Sequence, residues 1–128
     1  MQITLYGIPN CDQVKKARTW LDAHGKPYAF HDFKKAGINR SMIDGWLSDL
    51  AWDVLLNRKG TTWRALPDER KAVAVDAVGA AALMLESPSI VKRPVLCVRD
   101  AGGAQRHFTG FSDELYRQIF FNNVTKYY

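Results

Sequence analysis

Residues 1–25 read MQITLYGIPNCDQVKKARTWLDAHG and combine a short apolar strand, a turn and an amphipathic helix. The strand covers residues 3–6, and the turn that follows it ends at Asn10. Asn10 is a favourable N-cap, and Gln13 three residues later can complete a capping-box exchange, so the pattern predicts a helix that begins at Cys11. A glycine at the end of the quoted stretch supplies the predicted stop. The sequence therefore predicts a thiol at a helix N-terminus.

The predicted position of Cys11 suits nucleophilic chemistry. Unpaired N–H groups and the positive end of the helix dipole favour the thiolate over the thiol. Asp12 acts against this, because a neighbouring carboxylate disfavours a second negative charge, so other cations must outweigh it. The alternative is that Cys11 is a small residue packed in a turn, as free cysteines often are. We predict that it is a nucleophile.

The composition is that of one folded domain. The 128 residues are 47% apolar and 24% charged, which is ordinary for a globular protein that buries a core. No apolar run approaches the roughly 20 residues of a membrane span, and polar residues interrupt the N-terminus where a signal peptide would be apolar. Cys11 and Cys97 lie far apart and do not form the framework of a secreted disulfide-rich domain. We therefore expect a cytoplasmic protein with reduced thiols and no membrane partner.

The charge of the chain points to an anionic partner. The formal net charge is +5 and the pI is near 9.4. A small carboxylate-bearing ligand, an acidic protein or nucleic acid would each satisfy this. The basic residues are scattered as pairs without a recognisable nucleic-acid docking motif, so nucleic acid is the least favoured of the three.

The elements that follow the first helix predict a β-α-β unit and then a block of helices. The aromatic-rich run at residues 27–33 alternates like a strand and, because a helix joins it to the first strand, is predicted to pair with it in parallel. Residues 34–87 are predicted to be all-helical. Asn39 or Ser41 is predicted to cap a helix at residues 40–47, and Pro67 opens a helix expected to continue through Val78. A further short helix is predicted at residues 80–86.

The remaining stretches predict one loop of interest and a hairpin. A polar, glycine-containing loop follows residue 56, and Arg58 within it is a candidate for a binding role. After a loop at residues 88–94, a strongly β run at 95–99, a turn and a second strand at 105–109 predict a β-hairpin. Ser112 is predicted to cap a last helix. The tail carries no recognisable pattern.

Four segments of the chain carry a family resemblance. They are Tyr6-Gly7-Ile8-Pro9-Asn10-Cys11, Leu56-Asn57-Arg58-Lys59-Gly60, Ile90-Val91-Lys92-Arg93-Pro94-Val95 and Gly110-Phe111. In this order and spacing they resemble the ArsC/Spx family of arsenate reductase-like proteins, above all its YffB-like branch, over essentially the whole chain. The resemblance implies an α/β, thioredoxin/glutaredoxin-like fold with a mixed sheet, in the order β-α-β … β-β-α. It also implies one ArsC-like domain over residues 1–128, with a thioredoxin-like core at 1–33 and 88–128 and an all-helical insertion at 34–87.

The same resemblance implies which residues form the site. Cys11 matches the nucleophile of the family, and Arg58 matches an arginine of its oxyanion site. Arg93 matches the arginine that precedes a cis-proline, here Pro94. Substrate or glutathione is expected to bind at these two arginines, at the proline and at Asn10.

The sequence departs from parts of the family. Gly7 stands where arsenate reductases have a histidine near the nucleophile, and Gly110 stands where they have a third oxyanion arginine, which argues against arsenate reduction. Val14 lies three residues after Cys11, so no Cys-X-X-Cys disulfide of the redox-switch Spx type can form. Cys97 lies in an apolar run and is predicted to be structural, so a resolving thiol must come from elsewhere.

These features together predict a glutathione-dependent thiol reductase. The Cys11 thiolate would attack a disulfide or an oxidised small-molecule or protein substrate, and glutathione, as co-substrate, would resolve the mixed disulfide. Two alternatives stay open: a non-catalytic, Spx-like interaction module that binds RNA polymerase, and an arsenate reductase. His24, His31 and His107 have no metal-ligand spacing, so no metal is expected.

Overall fold

The computed structural model describes residues 1–121, and the tail at residues 122–128 lies outside the described residues. The elements of the described chain, in order, are β1 (Gln2–Gly7), α1 (Asp12–Ala23), β2 (Ala29–Asp32), α2 (Phe33–Ala36), α3 (Arg40–Leu47), α4 (Trp52–Leu55), α5 (Thr61–Arg64), α6 (Asp68–Lys71), α7 (Ala77–Glu86), a 3-10 turn (Pro88–Ile90), β3 (Val95–Arg99), β4 (Gln105–Thr109) and α8 (Asp113–Phe121).

The strands form one mixed sheet in the order β2-β1-β3-β4. β1 pairs in parallel with β2, as a helical connection between two strands requires, and Thr4 lies opposite Ala29. β1 also pairs antiparallel with β3, which continues through a tight turn into antiparallel β4. The predicted α/β fold class and its mixed sheet are therefore confirmed. The chain between β2 and β3 is built of short helices, turns and one isolated β-bridge.

Helices α1 and α8 pack on one face of the sheet. Leu5 of β1 and Leu96 of β3 point to this face and meet Tyr116 of α8 in a buried cluster. Trp20 of α1 belongs to the same cluster, and its indole Nε1 donates a 2.8 Å hydrogen bond to the Asp113 carboxylate at the start of α8. The two helices are thereby joined to each other as well as to the sheet.

The helices between β2 and β3 pack on the opposite face. Trp46 and Leu55 from this block lie in a second buried cluster. Two links fasten the block to the sheet. The Asp49 carboxylate accepts a 2.7 Å hydrogen bond from the His107 backbone N–H and lies 2.7 Å from the ring Nδ1 of the same histidine. Leu56 forms the isolated antiparallel bridge, with Val91 ahead of β3.

The prediction that Asn10 caps α1 is wrong, because Cys11 itself is the N-cap. The Cys11 N–H donates to the Ile8 carbonyl at 3.1 Å, which closes a tight turn that contains Asn10. The Cys11 backbone is extended, and its carbonyl accepts a 3.0 Å hydrogen bond from the Lys15 N–H. No side chain caps the first turn, so the predicted exchange with Gln13 is also absent from the described structure. α1 starts one residue later than predicted, and the thiol lies at its edge.

The helix opened at Pro67 is shorter than predicted. α6 ends at Lys71, and the chain turns so that the Asp76 carboxylate can accept a 2.8 Å hydrogen bond from the first turn of α7. Val78, which the longer helix would have contained, lies in α7 and is 67% exposed. The carboxylate cap outweighed the continuing helical pattern, and α7 begins at Ala77, earlier than predicted.

The caps predicted for α3 and α8 are confirmed. Of the two candidates for α3, Asn39 is the cap, and its side chain accepts a 2.9 Å hydrogen bond from the Met42 N–H. The Ser112 hydroxyl accepts a 3.0 Å hydrogen bond from the Leu115 N–H in α8. The second strand is shorter than predicted at both ends: it begins at Ala29 instead of residue 27, and it ends at Asp32 because Phe33 begins α2.

The end of β1 makes a close contact with α1 that predicts a stability effect. A Cβ at Gly7 would lie 2.6 Å from Val14 Cγ2. We expect Gly7→Ala to destabilise the fold by about 1–3 kcal/mol, because the overlap forces the helix away from the strand. Val14→Ala removes the obstructing methyl groups, so the double variant should lose less than the sum of the two single losses. Urea unfolding of the four proteins measures this. Strictly additive losses would contradict the contact.

Candidate active site

Cys11 lies at the junction of β1 and α1, partly buried and with a free thiol. As the N-cap of a 12-residue helix it adjoins the first-turn N–H groups, which have no partners within the helix. That end of the helix favours negative charge. The contact of Val14 with Gly7 holds the same turn against the sheet. The predicted placement of a thiol at a helix N-terminus is confirmed.

A cavity of about 520 Å³ opens beside Cys11, between the start of α1, the segment ahead of β3 and the end of β4. Its wall contains the cations Lys92 and Arg93, and no acidic side chain from residues 1–121. The cavity is therefore suited to a small anionic ligand next to a thiol. The other lining residues are Gln13, Asn57, Thr109, Gly110, Phe111, Ser112 and Leu115.

Arg93 and Pro94 are joined by a cis peptide bond, as predicted. Arg93 lines the cavity with Cys11, and its Nη1 donates a 2.5 Å hydrogen bond to the Ser89 carbonyl. Its Nε is buried and has no hydrogen-bond partner among the residues that the structure describes. A guanidinium has five N–H donors, so Arg93 keeps donor capacity beyond the bond that fixes its position.

Arg58 and Asn10, the other predicted binding residues, are exposed and are not among the residues that line the cavity. The guanidinium carbon of Arg58 lies 5.7 Å from the centre of the Trp52 ring, a cation–π arrangement. Asn57, next to Arg58 in sequence, lines the cavity instead. A binding role for Arg58 and Asn10 stays a prediction.

Five polar residues of the cavity wall were not predicted as site residues: Gln13 and Ser112, for which the sequence predicts only capping roles, and Lys92, Asn57 and Thr109. Lys92 and Asn57 adjoin predicted binding residues in two of the segments that carry the resemblance, and this adjacency was the available signal. Thr109 has no such signal. The pairing of β4 with β3 brings it to the cavity, where its hydroxyl donates to the Lys92 carbonyl.

Cys97 lies away from the cavity. Leu96 faces α1 and α8, so by strand alternation Cys97 points to the opposite face of the sheet. On β1 its partner is Thr4, three residues and about 10 Å from the end of the strand that precedes Cys11. A disulfide requires Cα atoms within about 7 Å of each other. The two thiols of the chain therefore cannot form one in this fold.

The three histidines have structural surroundings rather than places in the cavity wall. His24 stacks on Trp20 with ring centres 3.8 Å apart, and His31 Nε2 lies 2.6 Å from the Gly37 carbonyl. His107 is held by its contact with a carboxylate, described above. Within residues 1–121, no group of three His, Cys, Asp or Glu side chains is arranged to hold a metal ion. No helix in that part of the chain is both long and apolar enough to span a bilayer.

Comparisons with known proteins identify relatives over most of the chain. The model of the ArsC family matches residues 6–119. The solved structure of a YffB protein is 46% identical, has a TM-score of 0.80, and the match covers 90% of this chain and 96% of that one. An uncharacterized protein of Haemophilus influenzae is 36% identical over 118 residues, 92% of this chain and 98% of its own. The global transcriptional regulator Spx of Streptococcus pneumoniae is 24% identical over 114 residues, 88% of this chain and 80% of its own.

The two thiols should differ in reactivity. Burial raises the pKa of the Cys97 thiol, and the Asp49 carboxylate raises it further. Near neutral pH we therefore expect one equivalent of iodoacetamide to label Cys11 in the folded protein and to leave Cys97 unlabelled until denaturant is added. Peptide mapping by mass spectrometry measures both sites. Equal labelling of the two cysteines in the folded protein would contradict the assignment.

The raised pKa of Cys97 also predicts a pH dependence of stability. The unfolded chain releases the Cys97 proton at a lower pH than the folded protein does. The free energy of unfolding should therefore fall as the pH rises above the ordinary thiol range. Cys97→Val removes this ionisation, so its urea-unfolding profile should be flatter over the same pH interval. An unchanged profile would contradict the shift.

Proposed function

This chain belongs to the ArsC family, and we propose that it is a glutathione-dependent thiol reductase with Cys11 as its nucleophile. One observation carries the proposal: a partly buried thiol at a helix N-terminus shares a cavity with two cations, Lys92 and Arg93. The helix end and the cations both attract negative charge, and the thiolate is the form of a cysteine that attacks sulfur. The substrate is a disulfide or another oxidised sulfur compound, on a small molecule or a protein.

In the first step the Cys11 thiolate attacks one sulfur of a disulfide R–S–S–R′. A bond forms between Cys11 Sγ and the R sulfur, and the S–S bond of the substrate breaks. R′ leaves with the electron pair as a thiolate and takes up a proton. The substrate is reduced by this step, and Cys11 is left oxidised in a mixed disulfide with R.

Glutathione completes the reaction. Its thiolate attacks the R sulfur of the mixed disulfide, Cys11 leaves as a thiolate, and R becomes joined to glutathione. The proton lost by glutathione balances the proton taken up by R′, so the sum is R–S–S–R′ plus glutathione giving R′–SH and R–S–S–glutathione. An external thiol is required because Cys97 lies on the other face of the sheet and cannot reach Cys11.

The charge of the cavity supports glutathione as the co-substrate. Glutathione carries carboxylates, which accept charge-assisted hydrogen bonds from guanidinium and ammonium groups. Arg93 lines the cavity and has N–H donors beyond the one bonded to the Ser89 carbonyl, and the volume of about 520 Å³ lies within the range of small-molecule sites. Asn10 adjoins Cys11 in sequence, and Arg58 adjoins the lining residue Asn57. We therefore propose that both contact glutathione or the substrate at the edge of the cavity.

The proposed chemistry needs no metal and belongs to a reducing compartment. Glutathione keeps thiols reduced in the cytoplasm, and a chain whose two cysteines are both free suits that setting. We therefore assign the protein to the cytoplasm, with glutathione and an oxidised substrate as its partners.

Arsenate is a less favourable substrate for this cavity. Two positions near the thiol that could add polar side chains are glycines. Gly110 has a φ of 80°, which disfavours any residue with a side chain, and a Cβ at Gly7 would overlap Val14. Among the described lining residues, the only cations available to a compact oxyanion are therefore Lys92 and Arg93.

The similarity to the regulator Spx of Streptococcus pneumoniae favours a second candidate function. In this alternative the chain is a non-catalytic module that binds RNA polymerase, and Cys11 has no catalytic role. The two candidates differ in what they require of the thiol.

Cys11→Ser separates these candidates. We expect the variant to fold normally but neither to form a glutathione adduct nor to reduce 2-hydroxyethyl disulfide with glutathione, since no other thiol lines the cavity. Mass spectrometry and a coupled thiol assay measure the two effects. Cys97→Ala is the matched control and should keep both activities. A wild-type protein without activity, or a Cys11→Ser variant that retains activity, would contradict the reductase assignment.

Arg93 and Arg58 should contribute unequally to glutathione binding. Arg93→Ala removes a charge-assisted hydrogen bond, worth about 1.5–3 kcal/mol, so the glutathione concentration that protects Cys11 from alkylation should rise about tenfold or more. Alkylation of Cys11 should also slow, because a cation beside the thiolate is lost. Arg58→Ala removes the same charge from an exposed position and should have a smaller effect. Equal effects would show that the cavity is not the glutathione site.

A further inference from the structure

The cavity wall contains a cation whose charged group has no partner among the described residues. Lys92 lies with the thiol in this wall, and no group within residues 1–121 pairs with its ammonium. Arg93, by contrast, already donates to the Ser89 carbonyl at 2.5 Å. The acidic residues Asp12 and Asp113 adjoin lining positions in sequence but are not themselves in the wall. Lys92 is therefore the cation most available to a ligand.

Gly110 makes room for the lysine side chain. A Cβ at Gly110 would lie 3.2 Å from Lys92 Cε and 3.8 Å from its Nζ. The end of the lysine side chain therefore lies across bare glycine backbone at the cavity wall. The φ of Gly110 is 80°, a left-handed conformation that other residues rarely adopt. One glycine thus both shapes the turn after β4 and leaves space for the ammonium.

The backbone that carries Lys92 is fixed on two sides. Its N–H donates to the Leu55 carbonyl at 2.7 Å, and its carbonyl accepts from the Thr109 hydroxyl. The facing glycine is also fixed, because the Gly110 N–H donates to the Pro94 carbonyl at 2.9 Å. The flexible stem of Lys92 therefore starts from a defined point beside the cavity.

We propose that Lys92 is the specificity-determining residue of this site, and that its ammonium binds the carboxylate of the small thiol that reacts at Cys11. This inference rests on the proposed function, since it assumes that the ligand is a thiol. An ammonium is a compact charge on a flexible stem, so it can follow a carboxylate that enters in more than one pose. A charge at a cleft raises the local concentration of oppositely charged ligands and acts chiefly on the rate of encounter. Lys92 thereby selects anionic thiols over neutral ones.

The test compares two alkylating reagents at Cys11, the anion iodoacetate and the neutral iodoacetamide. The same thiolate attacks the iodine-bearing carbon of both reagents and displaces iodide, so at one pH the ratio of their rate constants cancels any change in the thiolate population and reports the attraction of a carboxylate. We expect Lys92→Gln to lower the iodoacetate-to-iodoacetamide ratio by about threefold or more and to weaken its salt dependence. Lys35→Gln, at an exposed lysine outside the cavity wall, removes the same net charge and should leave the ratio unchanged.

An unchanged ratio in Lys92→Gln would overturn the proposal. An equal fall in Lys35→Gln would also overturn it, because net charge alone would then explain the effect. Neither readout needs reductase activity. Failure of the wild-type protein to reduce 2-hydroxyethyl disulfide would contradict the proposed function, whereas the alkylation ratio decides the role of Lys92 separately.

Discussion

The contact between Gly7 and Val14 is the constraint on which the site depends. β1 ends so close to α1 that a Cβ at its last residue, Gly7, would lie 2.6 Å from Val14 Cγ2, so there is no room for a side chain. The following turn closes through the bond from the Cys11 N–H to the Ile8 carbonyl, so the first helical turn begins at the thiol. The sheet then brings the segment ahead of β3 and the end of β4 to the same place. The cavity exists because these three pieces of backbone meet there.

The sheet also separates the two thiols by environment. α1 and α8 cover one face, and Cys11 at the N-terminus of α1 is only partly buried. Cys97 points to the other face, where burial raises the pKa of its thiol, and its cross-strand partner there is His107, held by Asp49. Two cysteines in one small chain thus have different chemistry without any difference in the residue itself. Because the two cysteines cannot form a disulfide with each other, the reduction of either one after oxidation requires a thiol from another molecule.

Much of the fold follows from local signals in the sequence. β3 and β4 follow from alternation and a turn, and Asn39 and Ser112 cap their helices because a short polar side chain precedes an apolar pattern. For α1, propensity favours Asn10 as the cap. The hydrogen bond from the Cys11 N–H to the Ile8 carbonyl instead places Asn10 in a turn and makes Cys11 the cap. The helical pattern after Pro67 predicts too long a helix, because periodicity does not indicate that Asp76 caps a new helix further along the chain.

The residues of the site also differ in whether local sequence predicts their positions. Cys11 and Arg93 could be predicted because the motif that contains each residue also fixes its place relative to the fold. The position of Arg58 could not, because whether a loop side chain turns to a cavity or onto Trp52 depends on neighbours distant in sequence. The role that we propose for Lys92 depends on bare backbone at Gly110, which lies in a different strand connection. Such a relationship becomes visible only when β3 and β4 are paired.

The order of the sheet has a consequence for the newly made chain. β1 lies between β2, which follows it closely in sequence, and β3, whose Val95 pairs with Tyr6. Contacts between residues so far apart in sequence form slowly, because the entropy cost of closing a long loop must be met before the contacts can stabilise the chain. The thiol leaves the ribosome early, while its lysine, its arginine and the strand that positions them follow near the end. A partly synthesised chain therefore contains the cysteine before it contains the lysine that we propose selects its ligand.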